Sequence, residues 1–126
     1  MSLTSIVQRG WDAVATGDFD RLVAAYTEDM RFVMPGQDDV LTGRAAFRAA
    51  LAGIGDLLPP GFAITGLRHA EGDGEVVSIV EWTSARVPSS QLAILFRFHG
   101  ELVRVERWFV DTEQWRGAVA WPSHPR

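Results

Sequence analysis

Residues 31–41 read RFVMPGQDDVL, an apolar run that stops at Pro35 and is followed by two adjacent acids, Asp38 and Asp39. Neighbouring carboxylates that are dry and close split their pKa values, so that one can act as a general base. The competing reading is a polar loop whose acids are simply solvated. Near the other end of the chain, Arg107 stands in the alternating stretch ELVRVERWFVD, residues 101–111. If Val103, Val105, Phe109 and Asp111 form the concave face of a strand, strict alternation puts Arg107 among them. A guanidinium there would hold a ligand carboxylate or an enolate oxygen through two parallel hydrogen bonds. Its alternative is an ion pair with Glu81, Glu106 or an acid of a facing subunit, since buried arginines are usually paired. Arg107, Asp38 and Asp39 are therefore the candidate catalytic set, for acid–base chemistry without a cofactor.

Trp11, Met34, Phe47, Trp82, Ile94, Phe96 and Phe109 are the candidate ligand-binding wall, aromatic rings giving a flat molecule a stacking surface. Each would equally serve as plain core. Tyr26 is expected to pack from a helix, with its hydroxyl at the surface. His69, His99 and His124 lie in separate segments without a ligand partner at helical or strand spacing, so no metal site is expected. The chain has no cysteine, which removes disulfides, thiolate nucleophiles and cysteine-ligated metals. No Gly-rich phosphate cradle is present, and GDGE (72–75) reads as hairpin chemistry.

The elements that must position these residues change character midway. Leu3, Ile6, Val7, Trp11, Val14 and Ala15 recur at helical spacing. Gly17 suits the left-handed residue that closes the helix, and Asp18 can cap the next, which carries Phe19, Leu22, Val23 and Tyr26. A strand over 31–34 ends at Pro35-Gly36. A third helix opens near Thr42-Gly43 and runs over 44–51. After LLPPG (57–61) the pattern favours strands at 62–70, 75–87, 91–99 and 101–111. Asp111 and Gln114 resemble a capping box for a short last helix over 112–119. Three N-terminal helices on a strongly curved, mostly antiparallel sheet is an α+β cone, closed by that short helix. Such a cone holds one concave apolar pocket.

The 126 residues fit one domain, with a core over about 3–119 and a tail from 120 to 126 expected to be mobile. A net charge of -4 argues against nucleic acid, whose phosphates need a basic face. No apolar run reaches the roughly 18 residues of a membrane span, and MSLTSIVQRGW lacks the form of a signal peptide. The expected setting is the cytoplasm. Ala93, Leu95 and Arg97 alternate away from the pocket face, alongside Glu81 and Thr83. That outer face suggests an isologous homodimer.

Trp11 with Gly17-Asp18, AAYTEDMRFVMPG (24–36), LTGRAAFRAAL (41–51) and FRFHGELVRVERWFVD (96–111) resemble the nuclear-transport-factor-2-like superfamily, in its SnoaL-like branch. The likeness spans about residues 5–115. It implies a cystatin-like cone and activities such as ketosteroid isomerisation, polyketide cyclisation or epoxide hydrolysis, along with members that only bind or dimerise. The isomerases' catalytic aspartate maps onto Met34, and their two oxyanion donors map near Gly10 and Ile94. None of these side chains can take that role. The epoxide hydrolases' arginine and first aspartate map near Val80 and Trp82, and their second aspartate near Arg107 or Trp108. Three functions remain in view. One is a cofactor-free isomerase or cyclase acting on a small cyclic or polyketide-like compound; another is a non-catalytic ligand-binding or dimeric interaction module. The third is an unrecognised hydrolase, with water and an acid converging deep in the cone. An unpaired Arg107 in an open cavity would favour an enzyme or a ligand binder, and a filled cone with Arg107 bridged to a glutamate an interaction role. A one-residue slip of the last strand would exchange Arg107 for Glu106 or Trp108.

Overall fold

The computed structural model describes residues 2–33, 40–53 and 58–120. Helix α1 (Leu3–Thr16) starts at Ser2, whose hydroxyl accepts from the Ser5 N–H. It ends at Gly17, where φ is 74°. The Gly17 N–H returns to the Val14 carbonyl and the Asp18 N–H to the Ala13 carbonyl, which satisfies the last turn. The Asp18 side chain then accepts from the Arg21 N–H and opens α2 (Phe19–Val23). One left-handed residue thus sets the angle between two helices, as the sequence pattern anticipates.

Tyr26 is where the local pattern misleads. Its spacing from Phe19, Leu22 and Val23 is helical, yet α2 lasts five residues and Tyr26 begins strand β1 (Tyr26–Val33). The reason is tertiary: Tyr26 pairs with Val103, and the Val103 N–H donates to the Ala25 carbonyl. Strand pairing overrides a weak helical preference. Next among the described residues, β2 (Val40–Thr42) pairs antiparallel with β1, an edge strand that the loop-like sequence does not announce. Helix α3 (Arg44–Leu51) follows and turns Phe47 and Leu51 inward.

The second half is the expected run of strands: β3 (Ala63–Gly72), β4 (Glu75–Thr83), β5 (Ser90–His99) and β6 (Leu102–Phe109). Helix α4 (Thr112–Ala120) is capped by Asp111, which accepts from the Gln114 N–H at 3.0 Å. The sheet order is β2-β1-β6-β5-β4-β3. All neighbours are antiparallel except β1 and β6, which run parallel. The α+β class and the curved sheet are as expected. One sheet face carries the helices, and between them lies a core built around Met30, Val76, Val80, Trp82 and Ile94. Among the described residues no helix covers the other face. Among the described residues no helix is long and apolar enough to cross a membrane. The tail expected to be mobile lies, from residue 121, outside the described residues.

Candidate functional site

Between the inner sheet face and helices α1 to α3 lies a cavity of about 480 Å³, within the usual range for a small-molecule site. Helix α1 contributes Ile6, Val7, Gly10, Trp11 and Val14, and α3 contributes Phe47, Ala50 and Leu51. The sheet supplies Tyr26, Phe32, Val80, Leu92, Phe96, Val103, Glu106 and Trp108. Glu106 is the one acid among the described lining residues, and none of them is basic.

Glu106 is 6% exposed. Its Oε1 accepts a short hydrogen bond from the Tyr26 hydroxyl, and its Oε2 accepts from the Trp108 Nε1–H at 2.8 Å. Cα pairing sets Phe32 of β1 on one side of Glu106 and Phe96 of β5 on the other. Burial raises the Glu106 carboxyl above its ordinary value, and the two donors oppose that shift without cancelling it. Burial and the neighbouring Glu106 charge also raise the Tyr26 phenol well above its usual range. Tyr26 therefore stays protonated and remains a donor. The arrangement is a dry carboxylate, oriented by two hydrogen bonds, in the wall of an apolar chamber.

This acid leaves a mark on stability. The unfolded chain ionises Glu106 at the ordinary carboxylate pKa, whereas the folded chain releases the proton higher. Its contribution to stability is therefore full below the ordinary value and is lost as pH rises through the raised one. A Glu106→Gln substitution would keep the packing: the new amide carbonyl can accept from Trp108, and the amide N–H can donate to the Tyr26 oxygen. Glu106→Gln is thus expected to gain stability relative to wild type as pH rises from the ordinary carboxylate range through the raised Glu106 pKa. Denaturant titrations at several pH values would show this, and a pH-independent difference would contradict it.

The expected orientation of β6 is reversed at its inner end. Val103 faces inward, but Arg97 pairs with Val105 while Phe98 pairs with Val103, so Arg104 is an extra residue on β6. This bulge shifts the alternation by one. Glu106 and Trp108 turn into the cone, while Arg107 is exposed and Phe109 is 50% exposed. Both were expected inside and stand on the outer face. Asp111, also expected inward, is exposed and caps α4. Among the described residues neither suggested acid pairs with Arg107: Glu81 accepts weakly from Gln91, and Glu106 is held as above.

Trp11, Phe47 and Phe96 do line the cavity. Trp82 and Ile94 are fully buried in the core and do not border it. Met34, Asp38 and Asp39 lie outside the described residues, as does His124. The sequence offers Glu106 as an ion-pair partner of Arg107, or as an inward residue if the last strand slips by one, and it puts the Tyr26 hydroxyl at the surface. The structure takes the slipped register, and Glu106 and Trp108, two apart on a strand, share the inner face.

His69 belongs to a second polar chain. Its Nδ1 lies 2.9 Å from the Ser78 hydroxyl and its Nε2 lies 2.8 Å from Gln8 Oε1. The Trp11 Nε1–H donates to Ser78 at 3.4 Å. Because Gln8 Oε1 can only accept, Nε2 carries the proton and Nδ1 accepts from Ser78. Burial lowers the His69 pKa, in keeping with a neutral ring. The chain ties α1 and the Trp11 wall to β3 and β4.

The sequence profile of the SnoaL-like domain family matches residues 7–111. No curated protein matches the chain. Three solved structures are similar in fold. A Xanthomonas campestris protein with a cystatin-like fold superposes with a TM-score of 0.79 at 18% identity, covering 94% of this chain and 98% of that one. A putative polyketide cyclase from Xanthomonas campestris pv. campestris gives 0.71 at 20% identity, with coverages of 93% and 96%. TerC co-crystallized with polyporic acid gives 0.72 at 17% identity, with coverages of 93% and 97%.

Proposed function

From the premise that this chain belongs to the SnoaL-like domain family, we propose that it binds a small cyclic compound in the cone and moves a proton on it without a cofactor. The observation that carries this reading is Glu106, a desolvated carboxylate fixed by Tyr26 and Trp108 in an otherwise apolar wall. A base stripped of water and held in place is strong toward a weakly acidic C–H. Glu106 takes the proton, the C–H electron pair forms a C=C bond to the carbon of the neighbouring C=O or C=N group, and that group's π pair moves onto its oxygen or nitrogen. Once protonated, Glu106 holds its two donors less tightly. The Tyr26 hydroxyl is then available to the atom where negative charge grows. Return of the proton to a different carbon is isomerisation, and attack of the new nucleophilic carbon on an internal electrophile is cyclisation. The chain contains no lysine, so a Schiff base with a lysine side chain plays no part.

In the test, cyclic ketones and cyclic iminium compounds are incubated with the protein in D2O, and loss of the activated C–H signal is followed by NMR. Enzyme-dependent exchange that requires Glu106 supports the reading. A specific observation favours the second reading, a non-catalytic ligand binder: both Glu106 oxygens already have protein donors. Ligand binding without exchange in any compound would select it.

The outer sheet face has its own expected role. Val77, Ile79, Ala93, Leu95 and Val105 are half-buried there, Phe109 is 50% exposed, and the Arg97–Glu75 pair at 3.6 Å lies beside them. An apolar patch edged by both charges suits a second copy of the same face. Wild type is expected to sediment at twice the 13.9 kDa of one chain, and Phe109→Asp at that single mass. Sedimentation velocity decides it, and a monomeric wild type would remove the dimer.

A further inference from the structure

We propose that the cone selects a ligand carrying positive charge, a cyclic amine or iminium compound whose cationic nitrogen sits against Glu106 inside a box of aromatic rings. The inference deepens the proton-transfer reading, and it rests on that reading's use of Glu106 as the ionised group of the site.

Three observations converge on it. The first is charge. Glu106 is the one ionisable acid among the described lining residues, and no Arg or His lines the chamber beside it. A buried carboxylate normally has a cationic partner, because desolvation of an isolated charge is costly. Here Tyr26 and Trp108 supply only neutral donors. A carboxylate has about four lone-pair directions, of which these donors use two. The partner that the described lining residues omit is one that a ligand can bring.

The second is the surroundings of that acid. Phe32 and Phe96 flank Glu106 on the neighbouring strands, and Tyr26 and Trp108 bond to it directly. The Phe32 and Trp108 rings meet edge-on with centroids 6.3 Å apart. Ring faces carry partial negative charge, and rings grouped about a carboxylate form the kind of surface that holds organic ammonium ions. An anionic ligand would meet one full negative charge and several ring faces, with no cation among the described lining residues to offset them.

The third is the chemistry itself. Removing a proton from a neutral ketone makes an enolate, and the described lining residues offer no cation to neutralise it. Removing a proton beside an iminium nitrogen makes a neutral enamine: the C–H pair forms the C=C bond, and the C=N pair returns to nitrogen. Glu106 becomes its neutral acid in the same step. A cationic substrate thus discharges the acid and itself together, and no charge is left in the dry chamber.

The test uses three probes of one size, phenyltrimethylammonium, its uncharged isostere tert-butylbenzene, and benzoate. Binding is followed by calorimetry and by the fluorescence of the tryptophans, two of which, Trp11 and Trp108, line the cavity. The cation is expected to bind at least as tightly as tert-butylbenzene despite its stronger hydration, and benzoate is expected not to bind. In Glu106→Gln the ratio of cation to neutral affinity should fall about tenfold or more, while tert-butylbenzene binds as before. In Phe96→Leu, which keeps the carboxylate, that ratio should fall about threefold, and this variant carries the test if the first does not fold. An unchanged ratio in either folded variant overturns the cation site and leaves the proton-transfer reading standing. So does benzoate binding that matches the cation's. Binding of none of the three probes overturns both.

Discussion

Glu106→Gln is expected to lower the proton-exchange rate by about 10²- to 10⁴-fold, the usual range for losing one positioned general base. The substitution removes basicity and little else. Gln fills the same volume, its carbonyl can take the Trp108 Nε1–H, and its amide can meet the Tyr26 oxygen, so the wall of the cavity keeps its shape. Neutral ligand binding should therefore survive while exchange does not, a split that separates a catalytic acid from a structural one. Tyr26→Phe, which removes the chain's one tyrosine, supplies the companion measurement. It leaves Glu106 with the Trp108 donor alone, and burial then pushes its pKa further up. The pH at which exchange reaches half its maximum should move upward in Tyr26→Phe. A full rate in Glu106→Gln, measured on folded protein, would end the assignment of Glu106 as the base.

The second large effect concerns stability. Trp82→Ala is expected to cost about 3–5 kcal/mol, the range for truncating a large buried aromatic side chain. Trp82 is 1% exposed, and its ring lies 5.5 Å from Phe62 and 5.4 Å from Trp115. Against a total of about 5–15 kcal/mol for a domain, that loss is a large share of the stability. Trp82→Phe should behave differently. Among the described residues the Trp82 Nε1–H has no acceptor, so Phe removes an unpaired buried donor while keeping much of the ring packing. The two effects oppose each other, and the net cost is expected below about 1.5 kcal/mol. Guanidinium titrations of both variants give the comparison. Equal losses would mean that the indole N–H has a partner that stabilises it.

The cavity is also set apart from this core. Trp82 and Ile94 face the same side as Phe96, yet they are covered by neighbouring side chains while Phe96 reaches the chamber. Alternation told which face each residue takes. It could not tell which inward residues would be roofed over, because that depends on where α1, α3 and α4 settle on the sheet.

What the sequence determined by itself is everything that acts over a few residues. Gly17 and Asp18 carry their conformational and capping preferences wherever they stand, and they closed α1 and opened α2 where read. Period-two alternation marked β4 and β5 with the correct inward set, Leu92, Ile94 and Phe96 included. Helices first and strands after were enough for the α+β class, and the quoted stretches were enough for the family.

Tertiary structure decided two things, and both bear on the site. Tyr26 has a helical neighbourhood, but pairing with Val103 drew it into β1 and brought its hydroxyl across 80 residues of chain to Glu106. The bulge at Arg104 has no local signature in VRVERWF (103–109), because an extra residue is defined only against the strand it fails to match. That one residue exchanged Arg107 for Glu106 and Trp108 inside the cone. The period of a strand is local, but its phase belongs to the sheet, and here the phase determined the charge of the cavity.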